Sequence, residues 1–448
     1  MPGNNSEDTN MTKFRYKRRN QITGYMNIGK YLIACLGLGC MMIVLLARIN
    51  VQASELHVGI GKDYPTIKSA ISMSAPGDII YIHDGIYYEN NLMPKPNTTL
   101  SGVEGEGIPV IDAQQKYSNH AWNNNPIYIL GSHIRIKGLE IRNGSAGNIV
   151  IEDSGISHIE ITHCVLRRSF MPKTRDNAAL VYVKPNTRHI SIHHNYFETK
   201  TEGFHAALFF RPHGGTTSFY NNEIRVNASA SGFFVKHGGD VTGRLQVYNN
   251  FIMMNYSGHH TATGIFISQD NVDVKNNLII GNAGKGIWVG LDAGGCGGSG
   301  SVIDHNTVFL ANAVRGALSI DNDCNPTNIL FKNNILHRLN QSREYRVVNA
   351  WIYGSKQAWR GHHNLIFENH PGSTIINTSN GSYTMRSWKI GGQGRGSVNE
   401  RPVFSNKSGT YTRISDFEVI AGSANNCADN GTDIGADVSV VGRKVDAK

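Results

Sequence analysis

The stretch 245–253, LQVYNNFIM, sets Asn249 and Asn250 between residues that favour strands. The same fragment returns along the chain as ISIHHNYF (190–197), TSFYNNEI (217–224), VDVKNNLII (272–280), VIDHNTVF (302–309), ILFKNNIL (329–336) and RGHHNLIF (360–367). Each carries an Asn preceded by Asn or His. The second members are Asn195, Asn222, Asn250, Asn277, Asn306, Asn334 and Asn364, and successive differences are 27, 28, 27, 29, 28 and 30 residues. Such a period, carried by short strands without helices, is too short for propeller blades and predicts a parallel β-helix. Each coil then lies one strand spacing, ~4.8 Å, above the last. An Asn at one corner of every coil tolerates a left-handed turn, and its amide can bond to the amides above and below. The series is therefore expected to be scaffold. Cys164, 31 residues before Asn195, fits the same position.

A repeat array removes the usual inference from length to domain count, because a solenoid grows by adding coils. The 448 residues are expected to form one folded domain preceded by a targeting segment. Charged residues make up only 17%, and glycine (49 residues) is abundant, which favours turns and short strands.

Residues 1–50 hold seven basic side chains against Glu7 and Asp8, and account for +5 of the net charge of +9. The remaining +4 permits an acidic partner without demanding one. The basic cluster KFRYKRR precedes an uncharged apolar run, Tyr31 to Ala47, and then NVQA, which ends at Ala53. Residues 1–53 thus read as a signal peptide or an uncleaved signal anchor. Either way residues 54–448 are expected outside the cytoplasm: secreted, periplasmic or at the cell surface. Membrane contact is expected only through that segment. Cys296 and Cys324 lie 28 residues apart, one repeat, so they could bridge neighbouring coils or stay as two buried thiols.

KDYPTIKSAISMSAPGD (62–78) reads as one amphipathic helix, with Pro65 in its first turn, Ile67, Ala70 and Ile71 as the apolar face, and Pro76-Gly77 ending it. Strands broken by Gly turns follow, and the β-helix is expected over 54–370. Residues 371–448 lose the Asn period and read as strands and a cap over the last coil.

The entry VGIGKDYPTIKSAISMSAPGDIIYIHDGIYYEN and the closing SDFEVIAGSANNCADNGTDIGA resemble secreted right-handed β-helix proteins of the pectate-lyase-like superfamily. The resemblance spans roughly 55–437. It implies an all-β right-handed parallel β-helix with an N-terminal capping helix. It leaves the reaction open, because that scaffold hosts lyases, hydrolases, epimerases and adhesins.

A second strand precedes each Asn: AALVYVKP, HAALFFRPHGG, SGFFVKHGGD, TGIFISQD, KGIWVGLD and GALSIDND. Their polar ends bring Lys184, Arg211, His213, Lys236, His237, Asp270, Asp292, Asp321 and Asp323 towards one stacked face. Cations lie in its N-terminal half and carboxylates lie further on. A groove across parallel strands suits an extended polymer. Elimination on a uronic-acid polymer needs the carboxylate neutralised, by Arg, Lys or calcium, and a base beside the acidic proton. Lys184, Arg211 and Lys236 on successive coils are expected to lower one another's proton affinity. For calcium, Glu152, Asp153 and Asp176 are the nearest carboxylates.

VKPN…HNYF…FFRPHGG…FYNNEI resembles the segment of chondroitinase-B-like and alginate lyases in which a catalytic Lys precedes a catalytic Arg by one coil. That resemblance implies Lys184 as base and Arg211 as acid or charge stabiliser, with His213 beside it. The chain has Lys184-Pro185 where the family has Lys-Ser, and Arg211-Pro212-His213-Gly214 where it has Arg-His-Gly. VKHGG repeats the second motif with Lys236, so Arg211 with Lys236 is an offset alternative.

Two further readings stand beside the lyase. Asp270, Asp292 and Asp321 at strand ends could hydrolyse a glycosidic bond, or the same fold could epimerise uronates. Substrate binding is expected of His237, Asp270, Asp292 and Trp288, and a non-catalytic glycan-binding or adhesion protein would stack sugar rings on Phe210, Phe234, Trp288, Trp351 and Trp359. Asp304 and His305, in an IDH element beside Asn306, are expected to be structural. No nucleic-acid motif appears, and a monomer is expected.

Overall fold

The computed structural model describes residues 53–443, apart from 115–123, 146, 153–154, 168–177, 200–204, 212–214, 228–229, 237–241, 256–261, 291–296, 314, 322–325, 340–345, 351–358, 369–373, 379–380, 391–392 and 409. The chain divides into two units, Met1–Gln52 and Ala53–Lys448. The first unit, with the targeting segment, lies outside the described residues, as do Cys296 and Cys324.

Three parallel sheets build the solenoid, and from the strand Thr99–Gly102 onwards each coil gives one strand to each. The first has twelve strands, from Glu55–Val58 to Trp359–His362, and the second has eleven, from Ile86–Tyr87 to Leu365–Glu368. The third runs from Ile127–Ile129 to Ile376–Thr378, with Gly381–Tyr383 added antiparallel at its end. This is the parallel β-helix predicted from the repeat. One inward column of the first sheet, Ile134–Ile159–Ile190, shows why it forms: aliphatic side chains stack rung upon rung and are 1% exposed. Helix Ile67–Met73 closes the first coil with Ile67, Ala70 and Ile71, capped by Thr66 rather than begun by Pro65.

The two positions of each Asn pair divide the work expected of one. The first member takes the left-handed conformation: His163, His194, Asn221, Asn249, Asn276, His305, Asn333 and His363 have φ between 50° and 56°. Asn tolerates that region because its short amide bonds locally, and His is enriched there too. The second member builds the ladder. Asn195, Asn222, Asn250, Asn277, Asn306 and Asn334 each donate from Nδ2 to Oδ1 of the next Asn at 2.9–3.1 Å. Cys164 N–H donates to Asn195 Oδ1 at one end, and Asn364 N–H to Ser397 Oγ at the other.

The C-terminal segment does more than close the last coil. Helix Met385–Ile390 closes the last coil, with Met385 and Trp388 in the core. Beyond it the chain turns back along the side of the solenoid. Gly435, Asp437 and Gly442 donate backbone N–H groups to Asn333 O, Asn276 Oδ1 and Asn249 O, on progressively earlier coils. The reason lies in the second sheet's outer face. Phe251, Leu278, Ile280, Phe309 and Ile335 point outwards there and are buried by Phe404, Phe417, Ile434 and Val441. At roughly 1.5–3 kcal/mol for each large apolar side chain buried, that cover outweighs a simple cap.

Candidate functional site on the third sheet

The third sheet's register brings the expected cations together. Ile151, Val183, Phe210, Val235, Ile267, Val289 and Ile320 stack as one inward column. The residue after each points outwards, which gives the order Glu152, Lys184, Arg211, Lys236, Ser268, Gly290, Asp321. The ladder continues through them: Lys184 N–H donates to Ile151 O at 2.9 Å, Arg211 N–H to Val183 O at 3.2 Å, and Lys236 N–H to Phe210 O at 2.7 Å. Lys184, Arg211 and Lys236 therefore occupy three successive rungs, ~4.8 Å apart.

Two expectations about this column change. Lys184 Nζ lies 2.5 Å from Glu152 Oε2, so its charge is matched by a carboxylate instead of being left to repel Arg211. The carboxylates also do not recur in register. Ser268 holds the position after Ile267, while Asp270 lies two residues on and accepts from Ser299 N–H at 2.8 Å. Asp270 and Asp321 are thus not equivalent partners across adjacent coils. His213, His237, Asp292, Asp323, Trp351, Asp153 and Asp176 lie outside the described residues.

Arg211 is half-buried, and its Nε is buried without a hydrogen-bond partner. A desolvated guanidinium N–H with no acceptor costs ~1–3 kcal/mol or more. An arriving carboxylate, which Arg binds through its planar fork, would remove that penalty.

Beside the charged column runs an aromatic one: Tyr182, Phe209, Phe234, Phe266 and Trp288. Phe234 stacks on Phe266 at 4.6 Å and Phe266 on Trp288 at 3.9 Å, so the rings face one another along the helix axis. The other face of Trp288 carries Lys285 Nζ, 2.8 Å from the ring centroid. An ammonium that close cannot share a face with a ring at 3.9 Å, so both faces of the indole are filled. Trp288 can offer an edge to a ligand but not a stacking platform. Phe210, another aromatic considered for sugar contact, points into the core.

Lys285 escaped the sequence reading, because a Lys opening the strand Lys285–Val289 looks solvated. Its side chain is fully buried, with Nζ 3.6 Å from Asp321 Oδ2, which accepts the Trp288 indole N–H at 2.5 Å. Burial pushes its pKa down to about 7, against the pull of Asp321. The unfolded chain keeps an ordinary lysine, so between pH ~7 and ~10 it binds a proton that the folded chain has shed. Stability should rise with pH through that window, and the burial cost should be greatest below about pH 7. Urea unfolding of Lys285→Met beside the native chain tests this. The native chain should gain a few kcal/mol relative to the variant from pH 6 to 10, at about 1.4 kcal/mol per unit. A difference constant with pH would refute it.

The described residues contain no group of three or more His, Cys, Asp or Glu side chains suited to a metal ion. Calcium takes six to eight oxygens. Of the carboxylates considered for calcium, Glu152 is engaged by Lys184, and Asp153 and Asp176 lie outside the described residues.

A family model for the right-handed β-helix region matches residues 125–308. No curated protein matches the chain. Similar solved structures include a PL6 alginate lyase in complex with a trisaccharide, at 12% identity, covering 87% of this chain and 95% of that one, with a TM-score of 0.45. An alginate lyase from Paenibacillus sp. str. FPU-7 is 15% identical over 73% of this chain and 99% of its own, with a TM-score of 0.38. A pectate lyase is 13% identical over 88% and 98%, also at 0.38. With the strand pairing above, the match over 125–308 makes the fold a right-handed parallel β-helix. The fold implied by the pectate-lyase-like resemblance is the fold found.

Proposed function

We propose that the protein is an exported polysaccharide lyase that cleaves a uronate-containing glycan by β-elimination. The observation that carries this reading is Arg211, whose buried Nε lacks an acceptor, flanked on adjacent rungs by Lys184 and Lys236. Arg211 takes the substrate carboxylate and withdraws its charge, which acidifies the neighbouring C–H. Lys184 and Glu152 form the proton-transfer pair. Once the polymer excludes water, the proton between them passes to Glu152, and the free amine accepts the substrate proton. The electron pair left on carbon forms the new C=C bond as the glycosidic C–O bond breaks. The pair then returns one proton to the leaving oxygen, so acid and base are regenerated.

Incubation with pectate, alginate, chondroitin or dermatan, and neutral glycans, with calcium or with EDTA, tests the proposal. Ultraviolet absorbance from unsaturated uronate should rise on an acidic substrate. New reducing ends without absorbance would instead indicate hydrolysis. Silence in both channels would sink the lyase reading and favour a glycan-binding protein.

A further inference from the structure

We infer that the C-terminal segment is an acid-released cover: protonation of His337 lifts it from the outer face of the second sheet while the coils beneath stay folded. The inference is independent of the reaction proposed above. His337 lies on the strand Ile335–Arg338, in register with Phe309 on one rung and Phe367 on the next. Its ring stacks on Phe309 at 4.5 Å and on Phe367 at 5.1 Å, so both faces of the imidazole are filled. It is 1% exposed, and among the described residues neither ring nitrogen has a hydrogen-bond partner. A neutral imidazole orphans one N–H in such a place. An imidazolium brings a second N–H and a charge, and a dry aromatic sandwich offers neither acceptor nor water.

The surroundings give no relief. Phe404, Tyr411 and Phe417 of the C-terminal segment close on Phe309, with ring centroids 6.0, 4.7 and 5.4 Å away. Among the described residues, the charged group that acts on His337 is Arg401 of the same segment, and its positive charge opposes a second one. The Arg338–Glu368 ion pair is one residue further along both strands and therefore belongs to the sheet's other side. Burial first, and Arg401 second, hold the His337 pKa down to about 3.

The segment gives way before the solenoid because of how each is held. Backbone ladders on three sheets tie the coils together. The segment is fixed by side-chain packing and scattered bonds, such as Gly435 N–H to Asn333 O at 2.7 Å, and so belongs to the less stable layer. Once it lifts, His337 has an ordinary histidine pKa of ~6.5, and below that pH the open state binds a proton that the closed state refuses. Closure is therefore strongest above ~6.5 and weakens by up to about tenfold per pH unit from there towards 3. Burial raises the Asp429 carboxyl, but its bonds to Lys332 and Asn333 outweigh that and hold it below the ordinary carboxylate range. The Asp429–Lys332 pair at 2.7 Å thus persists at pH 4.5.

Hydrogen exchange of the full chain at pH 7 and pH 4.5 tests the cover, read as protection factors so that the intrinsic effect of pH cancels. The N–H groups of Ser405 and Gly435, bonded to Glu418 O and Asn333 O, report on the segment. Their protection should fall by roughly 100-fold at pH 4.5. The N–H groups of Phe251 and Leu278, bonded to Asn222 O and Asn250 O, report on the coils and should keep theirs. His337→Met nearly keeps the volume and cannot titrate, so its segment should hold within about threefold between the two pH values. His337→Gln, polar but uncharged, should behave the same way, which separates lost packing from lost titration. Loss spread evenly over both sets of amides, no loss at pH 4.5, or an equal loss in His337→Met overturns the inference.

Discussion

Arg211→Ala is expected to reduce kcat/KM for elimination by ~10³, with kcat falling more than KM rises. The carboxylate gains negative charge as the proton leaves, so the guanidinium binds the transition state more strongly than the ground state. Arg211→Lys should recover only part of the rate, because an ammonium lacks the planar fork. Lys184→Ala should cost ~10²–10⁴, the usual contribution of a positioned acid or base. Glu152→Gln tests the pairing specifically. It keeps the hydrogen bond to Lys184 but removes the proton acceptor, so the rate should fall. Initial-rate kinetics with circular dichroism melts as folding controls would measure all four. An Arg211→Ala variant within about threefold of the native rate would place the chemistry elsewhere.

The second large effect lies in the ladder. Asn277→Ala should destabilise the solenoid by at least ~4 kcal/mol, since each buried polar group left unpaired costs ~1–3 kcal/mol. Asn277 Nδ2 donates to Asn306 Oδ1, Val247 O and Lys275 O, and its Oδ1 accepts from Asn250 N and Nδ2. The truncation orphans groups on both adjacent coils, and a stacked solenoid depends on its neighbour interfaces. Asn276 supplies the contrast. It holds the left-handed turn at φ 53°, is part-exposed, and among the described residues bonds through its amide only to Asn249 Oδ1 and the Asp437 backbone, so Asn276→Gly, which suits that backbone, should cost about 1–2 kcal/mol. Chemical denaturation of both variants checks the division of labour. Equal losses at the two positions would refute it.

The fold was legible because it writes itself once per coil. A stacked amide needs the same residue at the same rung, and a 27–30-residue spacing of buried Asn has no other use in a chain of short strands. The cation column was legible for a related reason: Lys184, Arg211 and Lys236 each directly follow the last inward residue of their strand. Asp270 failed because its strand text ends in several polar residues. Only the hydrogen-bond register shows that Ser268, not Asp270, comes first after Ile267. Lys285 failed because sequence patterns assign lysine to solvent, whereas Trp288 on its own strand and Asp321 on the next rung enclose it. The C-terminal course was hidden in alternation. Phe251, Leu278 and Phe309 lie on the outward side of the second sheet, and nothing local says which distant segment covers them.

Elimination itself is tested most directly by cleaving an acidic glycan in water enriched in the heavy oxygen isotope and weighing the early products. Elimination breaks the bond on the uronate side of the bridging oxygen and adds no water. The products should carry no label and a new terminal double bond, and the Arg211→Ala variant should form almost none. Heavy oxygen at the new reducing end, with no unsaturated terminus, would show that water attacked the anomeric carbon and would contradict the lyase mechanism outright.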